Sequence, residues 1–129
     1  MILADTDVLI DYLMGVQPTE NQVRKYIESD TLQTSAVTCF ELLCGAREGR
    51  RGDKTRDFVA SIPALPLDRE SAALAAAVRQ KLESVGSAIG MADSLIAGIA
   101  LANGLPLLTR NRKHFEAIEG LQLLPLSQR

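Results

Sequence analysis

The sequence predicts an α/β fold, a parallel β-sheet covered by helices on both faces and so three layers deep. Three observations carry this. Short apolar runs recur along the chain, separated by segments with helical spacing. The runs are apolar throughout rather than alternating, as strands buried on both faces must be. Hydrophobic residues make up 47% of the 129, enough for a real core and too many for a disordered chain. Trp is absent and aromatics are scarce, so Leu, Ile, Val and Ala must build that core.

Each element follows in order. Ile2 to Ala4 is an apolar run ending at Asp5, a buried first strand. Thr6 to Met14 places Val8, Leu9, Tyr12 and Leu13 on one helical face, and Gly15 stops it. Pro18 to Ser29 is a second helix with Val23, Tyr26 and Ile27 inside, and Thr31 to Ala36 is a second strand. Val37 to Arg47 is a helix expected to bury Val37, Phe40, Leu43 and Cys44. Lys54 to Ser61 is a short helix, and the basic, glycine-containing stretch from Arg47 to Arg56 is the candidate for a mobile arm. Ala64 to Leu67 is a third strand, after which Asp68 is placed to cap an Ala-rich helix facing inward through Leu74, Val78, Leu82 and Val85. Gly86 to Gly90 is a loop. Ala92 to Asn103 is apolar almost all round, a buried helix ended by Gly104. Pro106 to Thr109 is a fourth strand, and a short helix near Lys113 to Ile118 leads to a last strand at Leu121 to Leu124. With no repeat, low-complexity segment or interdomain linker, residues 1–129 read as one domain.

Composition narrows the setting. The formal net charge is −2, so any nucleic-acid role must come from the distribution of charge rather than its sum. Cys39 and Cys44 match neither a CxxC redox motif nor a zinc knuckle; they read as small core residues in a reducing compartment. The N-terminus meets an acid at Asp5 without a basic segment, unlike a signal peptide. The longest apolar stretch, Ser94 to Leu108, is interrupted by Asn103, Gly104 and Pro106 and is too short to span a membrane. The expected location is cytoplasmic.

Sites in open α/β sheets form at the carboxyl ends of the strands. Asp5 ends the first strand, Asn111 lies just past the fourth, Glu41 is one turn into the helix after the second, and Asp93 opens the buried helix feeding the fourth. Each has a plain alternative: Asp5 an N-cap, Glu41 a surface glutamate, Asp93 a charge favoured by the helix dipole, Asn111 a turn residue. Their conjunction is harder to dismiss. Crowded carboxylates raise one another's pKa and need a cation between them. All-oxygen ligands favour Mg2+ or Mn2+ over zinc. There is one histidine, His114, read as a packing or substrate-contact residue, and no phosphate-binding glycine loop. Arg110, Arg112 and Lys113 flank Asn111, where phosphates would approach, and Arg47, Arg50, Arg51, Lys54 and Arg56 form a second basic cluster or a merely solvated loop.

Four fragments then become recognisable in order. Leu3-Ala4-Asp5-Thr6-Asp7-Val8-Leu9-Ile10, the segment Val37 to Gly45 around Glu41, Ala92-Asp93-Ser94-Leu95-Ile96-Ala97, and Thr109-Arg110-Asn111-Arg112-Lys113-His114-Phe115 together resemble the PIN-domain family over nearly the whole chain. The nearest group is the VapC-like toxins. The resemblance implies a PIN-like domain with a central five-stranded parallel sheet of order 3-2-1-4-5. It implies metal-dependent endonucleolytic cleavage of RNA, a homodimer, and inhibition by a small VapB-like antitoxin. On it Asp5, Glu41, Asp93 and Asn111 are catalytic, and Asp5 and Asp93 ligate Mg2+ or Mn2+. Glu41 would hold a water of the ion or bind a second ion, and Thr109, Arg110 and Arg112 would contact substrate. Many relatives carry aspartate where this chain has Asn111, which points to one well-held ion. Asp7 adds a carboxylate that would bind outer water or favour the helix start.

Two rival classes share some of these features. Asp5-Thr6-Asp7 also resembles the nucleophile pair of haloacid-dehalogenase-type phosphatases, with Thr34-Ser35 as the strand-two hydroxyl. There, however, Glu41 has no role and a loop precedes Asp93. A receiver-like domain would use Asp68 and Lys113 but leave Glu41 and Asp93 unexplained. A PIN fold serving only as an RNA-binding or processing module is opposed by the intact acids at Asp5, Glu41 and Asp93.

Overall fold

A computed structural model describes residues 1–127. The strands are β1 (Ile2–Ala4), β2 (Leu32–Ser35), β3 (Ala64–Leu65) and β4 (Leu107–Leu108). The helices are α1 (Thr6–Met14), α2 (Thr19–Glu28), α3 (Ala36–Gly45), α4 (Arg50–Ser61), α5 (Arg69–Ser84), α6 (Met91–Ala102) and α7 (Arg112–Phe115). All strand pairs are parallel, in the order β3-β2-β1-β4.

The three layers follow from side-chain alternation in β1. Leu3 points to one face, where it packs with Leu82, Ile96, Ile99, Leu107 and Phe115 under α5, α6 and α7. Ile2 and Ala4 point to the other, with Val8, Leu9, Val23, Leu32, Leu42 and Leu108 under α1, α2 and α3. In β4, Leu107 and Leu108 divide in the same way. α6 is buried on nearly every side, from Ser94 through Ala100 apart from half-buried Leu95, as its composition requires.

Among the described residues the sheet has four strands rather than the five expected. The fifth position is reduced to one parallel bridge, Leu107 with Leu123, closed by Leu107 N–H to Gln122 O and Leu124 N–H to Leu107 O, both 2.9 Å. Pro125 follows the bridge. Pro66 follows β3, and Pro106 precedes β4 and accepts Leu3 N–H through its carbonyl. Helix starts follow local chemistry: Ser35 caps α3 by accepting from Thr38 N at 3.0 Å, and Asp68 caps α5 by accepting from Ser71 N at 2.8 Å.

Four expectations are corrected. Ile27, expected inside, is exposed on α2. α3 is rotated relative to its apolar stripe: Phe40 (67% exposed), Leu43 and Cys44 face outward, while Thr38 and Leu42 are buried. Leu42 joins the apolar cluster, and Thr38 turns in to the Thr6 hydroxyl. The stretch taken for a mobile arm is helical from Arg50. Gly49 starts it at φ 109, and Gly52 sits where a Cβ would lie 1.6 Å from Arg47 O. Arg56 closes that turn by donating to Ala46 O, Arg47 O and Asp53 Oδ1. Val85 lies past the end of α5 and is exposed.

α5 and α6 cross closely at Gly98. A Cβ there would meet Ser71 O at 2.4 Å and Ala75 Cβ at 2.7 Å, both on rigid helix backbone or its first side-chain atom. Gly98→Ala is therefore expected to lower stability by about 1–3 kcal/mol despite its better helix propensity. Urea unfolding would show it; an unchanged midpoint would mean the two helices separate at no cost.

Candidate active site

The pairing of β1 with β4 brings Leu3 level with Leu107 and Ala4 level with Leu108. The next residues out, Asp5 and Thr109, therefore meet at the carboxyl edge. Asp5 is 3% exposed; its N–H donates to Leu108 O, its Oδ1 accepts Thr6 N–H at 2.8 Å, and its Oδ2 accepts the Thr109 hydroxyl at 2.7 Å. It thus caps α1 and faces the site at once; the two readings of Asp5 are compatible. Asp7 lies one step into α1, its Oδ2 accepting Arg110 N–H at 2.9 Å. Its Oδ1 is buried without a hydrogen-bond partner among the described residues.

Glu41 reaches the site through a hydroxyl chain. The Thr6 hydroxyl donates to Glu41 Oε1 at 2.6 Å and lies 3.0 Å from Thr38 Oγ1, which accepts from Ser35 Oγ at 3.2 Å. Asp93, in the first turn of α6, is paired through Oδ2 with His114 Nδ1 at 2.7 Å. Asn111 is exposed at the start of α7, and its N–H donates to Thr109 Oγ1 at 3.0 Å.

The predicted substrate contacts are partly committed elsewhere. Thr109 is buried on Asp5, Arg110 donates to Asp11 Oδ2 at 2.6 Å, and Arg112 donates to Leu124 O at 2.8 Å. Of the second basic cluster, Arg47 and Arg51 share with Glu41, Ile10 and Leu42 a groove of about 460 Å3 between α1, α3 and α4. Lys54 is spent on Leu13 O. Sequence reasoning missed Thr6, Thr38 and Asp11. The signal for Thr38 was its spacing of three from Glu41, which puts both on one helical face with Ser35.

The side chain of Asp5 is met by two neutral donors, the Thr6 N–H and the Thr109 hydroxyl. Burial, then Asp7, and further Asp93, push Asp5 up to about 7 from 3.8, against the hydrogen bonds from Thr109 and Thr6. Burial also raises Asp7, offset in part by the Arg110 N–H. Among the described residues no three His, Cys, Asp or Glu side chains form a ready-made metal cage. Even so, an unpartnered buried carboxylate oxygen beside a strained, all-oxygen donor set fits a hard divalent cation.

Comparison with known proteins gives the family and the fold. The PIN domain family matches residues 2–121. Ribonuclease VapC10 of Mycobacterium tuberculosis is 33% identical, covering 95% of this chain and 91% of that protein. The tRNA(fMet)-specific endonuclease VapC of Shigella flexneri is 28% identical, covering 93% of each. Among solved structures, the DNA-bound VapBC of Salmonella typhimurium superposes with a TM-score of 0.81 at 25% identity, over 96% of this chain and 98% of that one.

The raised Asp5 has a signed consequence. Between about 4 and about 7 the folded protein holds this proton and the unfolded chain does not, so stability falls as pH rises through that window. The full shift corresponds to an upper limit on the order of 4 kcal/mol. In divalent-free buffer the melting temperature is expected to drop across this window, and Asp5→Asn should flatten the profile. A wild-type profile as flat as that of the variant would contradict a buried, uncompensated Asp5.

Proposed function

The chain belongs to the PIN domain family, as a VapC-type ribonuclease, and from that premise we propose that it cleaves RNA endonucleolytically with Mg2+ or Mn2+. In this reading it is the cytoplasmic toxin of a toxin–antitoxin pair. The observation that carries the reading is Asp5, buried at the carboxyl edge and raised by Asp7 and Asp93. Asp5 and Asp93 would hold the cation. When bound, such an ion makes a nucleophile of water at neutral pH and stabilises charge on the phosphoryl oxygens.

The chain's own residues do the positioning. Thr109 and Thr6 fix both oxygens of Asp5, so its free lone pairs have a set direction. The Thr6 hydroxyl holds Glu41 toward the same edge, where it can take a proton or orient a water. His114 holds one oxygen of Asp93 and leaves the other available. Asn111 offers a neutral amide at the mouth. Arg112, with donors to spare beyond Leu124 O, and Arg47 and Arg51 supply positive charge for the RNA backbone. The groove between α1, α3 and α4 leads to Glu41, and an antitoxin segment lying in it could bring a basic side chain to the carboxylates.

Asp5→Asn and Asp93→Asn are each expected to reduce RNA cleavage at least about 100-fold, as EDTA should. Purified protein assayed on RNA with Mn2+ tests this, and full activity in EDTA would overturn the metal-dependent reading.

The exposed apolar face of α3 supports a homodimer. Phe40 and Met91 are 67% and 66% exposed, and with Val37, Leu67 and Leu95 they line an apolar groove of about 330 Å3. A second copy would cover it. Light scattering should then report a dimer for the wild type and a monomer for Phe40→Asp; a monomeric wild type would refute the assignment.

A further inference from the structure

Arg110 flanks Asn111, where sequence order marks it for substrate phosphate, yet its contacts run inward. Its Nη1 donates to Asp11 Oδ2 at 2.6 Å, and Asp11 is only 7% exposed, on α1. Its backbone N–H donates to Asp7 Oδ2 at 2.9 Å. On one side of it Thr109 donates to Asp5; on the other Asn111 N–H returns to the Thr109 hydroxyl. Asp7 and Asp11 are four apart on α1 and so share a face. Three aspartates at and along α1 thus hold Thr109 and Arg110 of the loop after β4, and Thr109 in turn holds Asn111.

We infer that Asp11 and Arg110 are a positioning pair that fastens residues 109–111 to α1, setting the direction of Asp5 through Thr109 and the place of Asn111. β4 is two residues long, so the ladder alone gives the loop little support. The hydroxyl that orients Asp5 sits one residue from Arg110. A buried carboxylate with a single cationic partner is costly to separate from it, which favours the closed arrangement. Arg110 therefore acts through the loop rather than by touching RNA. This rests on the reading of Asp5 as a site carboxylate under the proposed function.

The test compares Asp11→Asn, Arg110→Gln and the double variant in the full chain. Each single change is expected to lower kcat about 10-fold with KM for RNA nearly unchanged, and to weaken Mn2+ binding in titration calorimetry by a similar factor. The double variant should be no worse than the poorer single one, because both remove the same contact. Arg110→Lys, which keeps the charge, should recover part of the loss. If Asp11→Asn does not fold, Arg110→Gln, altering a half-exposed side chain, carries the same comparison. The inference is overturned if Arg110→Gln raises KM while Asp11→Asn tightens RNA binding, since Arg110 would then be a phosphate contact that Asp11 merely restrains. It is equally overturned if the variants lose only melting temperature while kcat and Mn2+ affinity stay put. Hydrogen exchange at the Arg110 and Asn111 amides separates failure of this pair from failure of the ribonuclease reading. Exchange about 10-fold or more faster in Asp11→Asn supports the fastening even in a protein that cleaves no RNA, and unchanged exchange refutes it.

Discussion

The carboxyl edge of this molecule depends on the register of β1 against β4. Pairing Leu3 with Leu107 and Ala4 with Leu108 leaves Asp5 and Thr109 level, one residue beyond the ladder. From that single alignment follow the hydroxyl bond to Asp5, the course of the loop through Arg110 and Asn111, and the start of α7. A slip of one residue would send Leu107 and Leu108 to the wrong faces and separate Asp5 from Thr109. The two hydrophobic clusters, one on each side of the sheet, therefore enforce the geometry of a polar site neither of them contains.

That site works against the fold that carries it. Asp5 is nearly inaccessible, Asp7 has an oxygen with no partner among the described residues, and burial, with Asp7 beside it, raises the cost of charging Asp5. The surrounding structure offsets part of this with two backbone donors, Thr6 N–H and Arg110 N–H, and one side-chain donor, the Thr109 hydroxyl. What remains is negative charge concentrated where a cation and a phosphodiester would meet. Stability given up at a functional site is the usual bargain in proteins whose other levels of structure agree.

α3 shows how the same pressure misleads a reading based on hydrophobicity. Its apolar stripe of Val37, Phe40, Leu43 and Cys44 looks like a core face, and periodicity alone assigns it inward. Across from it α1 presents the Thr6 hydroxyl, within hydrogen-bond reach of Thr38 Oγ1 and Glu41 Oε1, while Leu42 packs into the apolar cluster beside it. Buried polar groups must be hydrogen-bonded, and the Thr38–Glu41 face meets that hydroxyl. Phe40 and Leu43 are left outside, available to a partner surface.

The amino-acid sequence by itself determined the α/β class, the order of strands and helices, the cap at Asp68, and the line of acids from Asp5 to Asp93. These depend on local periodicity, capping chemistry and motif order, which are properties of neighbouring residues. It could not determine that the fifth strand shrinks to a bridge, that α3 turns its polar face inward, or that the basic stretch after Arg47 winds into a helix. Nor could it show that Arg110 is joined to Asp11, 99 residues away, rather than left free. Those outcomes turn on which surfaces meet across the fold, and a pairing between distant residues has no signature in either segment alone.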